Sequence, residues 1–459
     1  MNSTRRPPLL DEGYRCLRLA LPLASAQLAQ AATSFVDTVV MGQLGSESLA
    51  AGALGAIFYT QLLVVGTSLV STSSPFIAEA YGAAQPKRAG SWLDQSIWLA
   101  LAIAVPVTLL MWNAGPLLLL LDQPPAIIDL ASGYLKATAA AYPPALLFVA
   151  LRSFVSALSR PRIVLVITLG GVALNAIADE ALALGRWGFP ALGLAGIGWS
   201  TTVIYWCMTL ALLAYVLGQR QFRPYLPLQT LHRPHFNTLW DLVGVSTPVG
   251  ILAALETGLF TIATVFAGQM GIVVLAAHQI ALQTVALTFM VPLGISQAAT
   301  VRVGQSIGQG DWHTARRAGV VCLGLGSGFM GMMGVLLLAA PRQIVSMYID
   351  LLDPANRDVI AAAVTLLAVG AVFQIVDGLQ VIAAGALRGL KDTRIPMVMG
   401  AIAYWVIGVP CSYITGFTLG WGGVGLWWGL AVGLAIAAAT LTWRFNRLTS
   451  RPRSINPWL

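Results

Sequence analysis

Four acidic residues stand in the middle of long apolar segments: Asp37, Asp179, Glu256 and Asp377. A carboxylate at the centre of a membrane helix costs roughly 2.5–3.5 kcal/mol on insertion scales, so we expect all four to face the protein interior and to serve a function. A buried carboxylate binds a proton readily, and a bound cation stabilises its charged form. Such a group can therefore exchange a proton, a metal ion or an organic cation, which is what an antiporter requires.

Neutral polar side chains accompany these carboxylates at helical spacing. Asn175 precedes Asp179 by four residues, so both side chains project from one face of a helix. The other polar stripes are formed by Gln30, Thr33 and Asp37, by Gln374, Asp377 and Gln380, and, for Glu256, by Gln279, Gln283 and Thr284 on the next helix. We find no Lys or Arg at comparable depth in these segments. The pattern therefore predicts polar sites that favour cations.

The composition indicates that the segments carrying these residues are transmembrane helices. The chain has 459 residues, of which 57% are hydrophobic and 10% are charged, whereas soluble proteins carry about 25% charged residues. Its charge-free runs exceed the ~20 residues that cross a bilayer as a helix, and they lack the alternating pattern of a membrane β-barrel. Turn-rich and charged breaks divide the chain further. The sequence therefore predicts an all-α integral membrane protein with twelve transmembrane helices.

The Lys and Arg residues indicate how these helices are oriented. They cluster before the first helix, after each even-numbered helix and at the end of the chain, whereas the alternate loops hold few of them. Because cytoplasmic loops attract Lys and Arg, we expect a multi-pass protein of the cytoplasmic (inner) membrane with both termini in the cytoplasm. This asymmetry also accounts for the formal net charge of +8. We therefore expect the bilayer and small molecules as partners, and no nucleic acid.

An internal duplication organises the predicted helices. When the chain is shifted by 226 residues, Pro22 falls on Pro248, and residues 42–45 (GQLG) fall on residues 268–271 (GQMG). Each repeat holds six crossings, an even number, so the repeats are parallel and are related by an axis along the membrane normal. Such an arrangement leaves a cleft between two lobes. The predicted units are an N-terminal six-helix lobe at 1–218, a cytoplasmic linker at 219–237 and a C-terminal six-helix lobe at 238–459.

Three stretches of the sequence carry a resemblance to a known family. They are Pro22 with residues 36–51 (VDTVVMGQLGSESLAA), residues 275–280 (LAAHQI), and residues 385–389 (GALRG) followed by Asp392, Thr393 and Pro396. In this order the chain resembles the multidrug and toxic compound extrusion family, in particular its NorM-like branch. The resemblance implies a V-shaped pair of six-helix lobes and a monomer. It also implies export of organic cations and drugs in exchange for Na⁺ or H⁺, with no other cofactor and no enzymatic activity.

Carried over position by position, the resemblance implies two cation sites and a hinge. The N-lobe site for a cation or substrate consists of Asp37, Asn175, Asp179 and Thr201. The C-lobe site consists of Glu256 and Asp377, which would hold the coupling cation and ligate Na⁺, with Gln283 from the next helix as a further candidate. A bend of helix 1 would hinge on Pro22, because proline frees backbone groups for such motion. Both sites are complete, so the sequence leaves open which lobe couples and which ion drives transport.

Three other functions compete with drug export. A flippase of lipid-linked saccharides has the same two-lobed architecture, but it handles anionic head groups and should carry buried Arg or Lys. A major-facilitator carrier should have an Asp-Arg-x-Gly-Arg-type loop after helix 2, where residues 82–90 read GAAQPKRAG. A membrane prenyl transferase would need a second Asp-rich cluster to complement Asn175 and Asp179, and the sequence has none on the same face.

Overall fold

The computed structural model describes residues 8–119, 125–225 and 235–450, and all regular structure within these ranges is helical. The α-helices of the first half are α1 (Pro8–Gln43), α2 (Ser46–Ser71), α3 (Ser73–Gly82), α4 (Pro86–Trp112), α5 (Gly115–Leu119), α6 (Pro125–Ala139), α7 (Tyr142–Ala157), α8 (Arg162–Leu182) and α9 (Leu194–Gly218). Short 3₁₀ turns follow at Arg186–Gly188 and Arg220–Tyr225.

The regular structure of the described second half is helical as well. Its α-helices are α10 (Phe236–Gln269), α11 (Ile272–Gly308), α12 (Trp312–Ala339), α13 (Pro341–Val345), α14 (Arg357–Gly389), α15 (Arg394–Ala401), α16 (Val409–Tyr413) and α17 (Gly422–Ser450), with a 3₁₀ turn at Pro354–Asn356. Two π-helical segments, Ile402–Gly408 and Ile414–Thr418, flank α16 and join it to α15 in one continuous rod.

The number of membrane crossings agrees with the sequence. Eleven helices of the described ranges are long and apolar enough to span a membrane, and a twelfth span is formed if the bent pair α6 and α7 is counted as one. The pair bends by 42°, where Pro143 and Pro144 open α7 and interrupt the helical hydrogen bonds. The predicted all-α fold with twelve transmembrane helices is confirmed.

The duplication is visible in the turn that follows the first helix of each repeat. Gly45 and Gly271 each precede a helix, α2 and α11, and have φ values of 107° and 111°. An L-residue with a side chain rarely adopts such a backbone conformation. Glycine at the end of each GQ(L/M)G motif is therefore required by the same turn in both halves.

The chain forms two compact units. The N unit comprises Ser25–Gly250, and the C unit comprises Met1–Ala24 with Ile251–Leu459. Both boundaries fall inside a long helix, α1 and α10, and each follows closely after a proline, Pro22 or Pro248. Each unit has its own hydrophobic core. Of the predicted linker at 219–237, residues 226–234 lie outside the described part of the chain.

Candidate functional site

Three of the four residues predicted for the N-lobe site lie together in the N unit. Asp37 is on α1, and Asn175 and Asp179 are one turn apart on α8. The Asn175 amide Nδ2 donates a hydrogen bond to Asp37 Oδ1 at 3.1 Å, and Asp37 and Asp179 are close enough for their charges to interact. The polar face of α8 and the carboxylate of α1 therefore form one site.

Several acceptor oxygens of this N-unit site receive no hydrogen bond, although the Ser200 hydroxyl lies close to Asp179. Asn175 and Asp179 have 0% of their surface exposed. Asn175 Oδ1 and both carboxylate oxygens of Asp179 have no hydrogen-bond partner among the described residues. An unsatisfied buried polar atom costs ~1–3 kcal/mol, and two carboxylates that share a site resist being charged together. A proton or a cation bound between Asp37 and Asp179 would relieve both penalties.

The fourth predicted residue, Thr201, is buried on α9, but its hydroxyl donates to the Ile197 carbonyl oxygen at 3.0 Å. It makes no hydrogen bond to Asp37 or Asp179 in the described structure. Its neighbour Ser200 is the α9 side chain that lies close enough to interact with Asp179. A difference of one residue along α9 thus decides which hydroxyl faces the carboxylate. The role of Thr201 remains a prediction.

Glycines allow α9 to approach the helices that carry the site. A Cβ atom on Gly196 would lie 2.4 Å from the Leu182 carbonyl oxygen at the end of α8. A Cβ atom on Gly198 would lie 2.9 Å from the Tyr134 carbonyl oxygen of α6. Any side chain at these positions would push α9 away from the backbone of α8 and α6. The two glycines therefore keep Ser200 within reach of Asp179.

Tyrosines complete the surroundings of the N-unit site, and sequence reasoning did not identify them. The buried Tyr134 on α6 is within electrostatic reach of both Asp37 and Asp179. Tyr205 on α9 interacts with Asp37 and with Gln30 of the α1 stripe. A tyrosine in an apolar segment has no sequence signal that separates it from ordinary packing residues. Only the Gln30 stripe on α1 pointed toward this part of the site.

Glu256 and Asp377, the two carboxylates predicted for the C-lobe site, come together in the C unit. Glu256 is on α10 and Asp377 is on α14, and their charges are close enough to interact. Asp377 is 3% exposed, and its Oδ1 has no hydrogen-bond partner among the described residues. The C unit therefore contains a second pair of neighbouring carboxylates with an unsatisfied buried oxygen.

The third C-lobe candidate, Gln283, is not drawn into this site. Its side chain is exposed on α11, and no hydrogen bond joins it to Glu256 or Asp377 in the described structure. The α14 stripe is joined to α11 by Thr288, whose hydroxyl donates to Gln374 Oε1 at 3.0 Å. A role for Gln283 remains a prediction.

The expectation that no basic residue accompanies the acids is wrong for the C unit. Arg388, which the sequence places in a cytoplasmic loop cluster, belongs to the last turn of α14. Its Nη2 donates to Ser296 Oγ at 3.1 Å, and its charge interacts with that of Glu256. A long guanidinium side chain can extend from a helix end toward a buried charge. Loop clusters therefore do not show how deep their side chains reach.

The predicted hinge residue, Pro22, is buried within α1, and the helix continues through it from Pro8 to Gln43. Pro22 belongs to the C unit, and the boundary with the N unit follows at Ala24 and Ser25. Proline removes one hydrogen bond of the helical ladder at this point. The position fits a hinge, and its motion remains a prediction.

The donor set limits how a metal ion could be held. The described residues contain no group of three His, Cys, Asp or Glu side chains suited to a metal ion. His278 is committed elsewhere: its Nδ1 accepts from the Trp427 indole at 3.1 Å, and its Nε2 contacts Thr264 Oγ1. A cation in either unit would therefore draw on two carboxylates and on neutral oxygens, a combination suited to hard ions such as Na⁺.

Comparisons with known proteins agree with these two repeats. The sequence model of the MatE family matches residues 22–179 and 248–414. Both matches begin at the prolines, Pro22 and Pro248, that the internal shift superposes. The chain is 42% identical to the probable multidrug resistance protein NorM of Synechocystis sp. over 97% of its length and 96% of that protein. It is 41% identical to the multidrug resistance protein NorM of Burkholderia vietnamiensis over the same shares of each chain.

Solved structures share the fold at lower identity. The structure described as the outward-facing conformation of a multidrug resistance MATE family transporter of the MOP superfamily superposes with a TM-score of 0.88 at 17% identity, covering 98% of this chain and 99% of that one. The eukaryotic MATE transporter AtDTX14 superposes with a TM-score of 0.84 at 18% identity, covering 97% and 100%. With its two matched repeats and its full-length relatives, the chain is a multi-pass membrane protein that belongs to the MatE family.

Proposed function

We propose that the protein is a multidrug efflux antiporter that exchanges organic cations and other drugs for Na⁺ or H⁺. The observation that carries this proposal is the pair of neighbouring carboxylates in each unit, Asp37 with Asp179 and Glu256 with Asp377. Each pair includes a buried oxygen without a hydrogen-bond donor among the described residues. Each pair is therefore more stable with a proton or cation bound than without one.

Competition for a shared site is the physical basis of the exchange. A proton, a Na⁺ ion and the ammonium group of a drug all neutralise a carboxylate, so binding of one lowers the affinity for another. A ligand shifts a conformational equilibrium only by its differential affinity for the two states. The coupling ion would bind more tightly to the state open to one side of the membrane, and the drug to the state open to the other side. Dissipation of the ion gradient would then drive export of the drug.

The names of the relatives support drugs as substrates. Relatives that match nearly the whole length are named as a probable multidrug resistance protein and a multidrug resistance protein. In the N unit, the acidic pair is surrounded by tyrosines, including Tyr134 and Tyr205. Aromatic faces attract organic cations and tolerate varied shapes. We therefore propose the N-unit site as the principal substrate site, with Thr201 at its edge, and the C-unit site as the principal site of the coupling ion.

We further propose that the protein works in the cytoplasmic (inner) membrane with both termini in the cytoplasm. The asymmetric distribution of Lys and Arg supports this orientation. Pro22 is proposed as a hinge because the boundary between the compact units lies just after it, inside a continuous helix. The two six-helix lobes of the sequence repeat would then be the parts that move.

A flippase of lipid-linked saccharides is the second candidate, and one observation favours it. Arg152 on α7 donates from Nη1 to Gln27 Oε1 at 3.1 Å, and it forms no ion pair with the described residues. A partly buried guanidinium without a carboxylate partner is suited to an anionic head group. The identity with multidrug resistance proteins over the full length favours the antiporter.

Reconstituted vesicles test the proposal directly. Purified protein in proteoliposomes should expel a cationic dye, ethidium, when either a Na⁺ or an H⁺ gradient is imposed alone. The double variants Glu256→Gln with Asp377→Asn, and Asp37→Asn with Asp179→Asn, should each abolish export. Asp358→Asn is the matched control, because Asp358 is an exposed carboxylate on the same helix as Asp377. Export driven by neither gradient would refute the antiporter, and translocation of a fluorescent lipid-linked saccharide would support the flippase.

A further inference from the structure

The C-unit site contains more oxygen atoms than its two carboxylates. Gln380 follows Asp377 by three residues on α14, so both side chains project from the same face of the helix. Gln380 is 1% exposed, and its Oε1 has no hydrogen-bond partner among the described residues. Asp377 Oδ1 is in the same condition. Two buried acceptor oxygens on one helix face, one charged and one neutral, thus lack donors.

Tyr404 determines which end of the Gln380 amide is free. The Gln380 Nε2 donates a hydrogen bond to the Tyr404 hydroxyl, which occupies the amide nitrogen and leaves the amide oxygen unsatisfied. Tyr404 is fully buried, and it lies within electrostatic reach of both Glu256 and Asp377. The phenol therefore contacts the neutral amide and lies near both members of the acidic pair.

The helix segment that carries Tyr404 is fixed against α10 beside Glu256. Trp405, the next residue, donates its indole N–H to the Leu255 carbonyl oxygen at 3.1 Å. Its ring also covers Gly258, where a Cβ atom would lie 2.9 Å from the Trp405 ring. The two contacted residues, Leu255 and Gly258, lie before and after Glu256 in the sequence of α10. The two contacts place the Tyr404 segment next to Glu256 independently of the hydrogen bond to Gln380.

The same segment is wound as a π-helix, Ile402–Gly408. Pro410 lacks a backbone N–H and cannot continue the regular α-helical ladder, which accounts for the wider winding before it. Gly433 of α17 makes room for this segment, since a Cβ atom there would lie 2.8 Å from Gly408 Cα. Single π-helical turns within membrane and soluble helices occur frequently at functional sites.

A proton and a Na⁺ ion make different demands on such a site. A proton needs one carboxylate oxygen, whereas a hard metal cation needs several oxygen ligands, and amide carbonyl oxygens commonly supply some of them. The described residues offer no third carboxylate, thiolate or imidazole for a metal ion. A Na⁺ ion at Glu256 and Asp377 would therefore depend on neutral oxygens. Gln380 Oε1 is a buried neutral oxygen without a partner on the same helix face as Asp377.

We propose that Gln380 is the residue that makes the C-unit site competent for Na⁺, and that Tyr404 is a positioning residue that presents the Gln380 oxygen to the ion. This inference rests on the proposed function, in that the C-unit site binds the coupling ion. It goes further by assigning Na⁺ selection to two neutral side chains. Loss of either side chain should weaken Na⁺ binding and leave the carboxylates able to carry a proton.

Equilibrium binding of radioactive Na⁺ to the purified protein in nanodiscs tests the assignment without transport. Gln380→Leu and Tyr404→Phe should each raise the half-maximal Na⁺ concentration by about tenfold, which corresponds to ~1.4 kcal/mol. Because Tyr404 acts through Gln380, the double variant should bind Na⁺ no more weakly than Gln380→Leu alone. Tyr413→Phe and Gln309→Leu are matched controls, since both side chains are exposed, and neither should change Na⁺ binding.

Dye export in proteoliposomes supplies the second readout. Na⁺-driven export by the variants should require about tenfold more Na⁺, while H⁺-driven export should stay within about twofold of the unaltered protein. The proposal would be overturned if both variants bound Na⁺ as the unaltered protein does, or if they lost Na⁺-driven and H⁺-driven export to the same extent. It would also be overturned if the unaltered protein bound no Na⁺. Na⁺ binding that depends on Gln380, in a protein that exports no dye, would uphold this assignment and refute the antiporter instead.

Discussion

Replacing Asp179 by asparagine should make the protein more stable while abolishing export. In the N unit, Asn175 Oδ1 and both Asp179 oxygens are buried acceptors without a donor among the described residues. An asparagine at position 179 supplies two N–H groups to this cluster. It also removes the negative charge that repels the carboxylate of Asp37. Satisfying one such acceptor is worth ~1–3 kcal/mol. Function and stability thus make opposite demands on this position.

Thermal unfolding followed by intrinsic tryptophan fluorescence in detergent measures the effect. For a domain of the size of the N unit, 1 kcal/mol shifts the melting temperature by roughly 2–4 °C. We therefore expect Asp179→Asn to melt higher than the unaltered protein by at least that amount at pH 9. Protonation of a carboxylate also supplies a donor, so the advantage of the variant should shrink at pH 5.

Glu180→Gln is the matched control for this comparison. Glu180 is the adjacent residue, but its carboxylate is solvent-exposed and pairs with Arg186 at 3.1 Å. Exposed ion pairs contribute ~0–1 kcal/mol, so this variant should melt close to the unaltered protein and should export normally. A melting temperature of Asp179→Asn that equals or falls below that of the unaltered protein at pH 9, or a difference that is independent of pH, would refute the reasoning.

Two further predictions concern stability outside the sites. Glu12→Ala should lower the free energy of unfolding by ~3–5 kcal/mol, because the buried Arg302 loses its carboxylate partner. Glu12 and Arg302 form a bidentate pair with both N–O distances at 2.8 Å. The control is Asp11→Ala, which removes an exposed ion pair one residue away and should have little effect on the melting temperature. Asp311→Ala should cost ~1 kcal/mol by removing the cap of α12. Hydrogen bonds from Thr314 hold the pKa of the Asp311 carboxyl below its usual value. The folded state therefore favours the charged carboxylate. In chemical unfolding, the loss of unfolding free energy in this variant should be present above about pH 4 and should disappear as the pH falls through the folded-state pKa of Asp311.

The sequence was sufficient to predict the helices and their repetition, because each rests on a local physical requirement. Long apolar runs must be helical in lipid, and the shift that superposes Pro22 on Pro248 also superposes Gly45 on Gly271, where the structure has the same turn. The four carboxylates of the apolar segments could be recognised one by one, since each is costly in its segment. These features need no knowledge of which helices are neighbours.

The contacts within each site could not be predicted in the same way. Membrane helices are apolar on all sides, so the hydrophobic pattern does not indicate which face meets which partner. The sequence therefore did not show that Ser200, and not Thr201, approaches Asp179. It also did not show that Arg388 extends from the end of α14 to interact with Glu256. Both depend on the rotation and depth of helices that packing sets.

Displacement of the coupling ion by a substrate tests the central claim most directly. Tetraphenylphosphonium, an organic cation, is added to purified protein in weakly buffered solution while proton release is followed with a pH dye and Na⁺ release with an isotope. The account predicts saturable release of one of these ions, and no release from a variant in which Asp37, Asp179, Glu256 and Asp377 are all amidated. Saturable binding of tetraphenylphosphonium with neither ion released would contradict it.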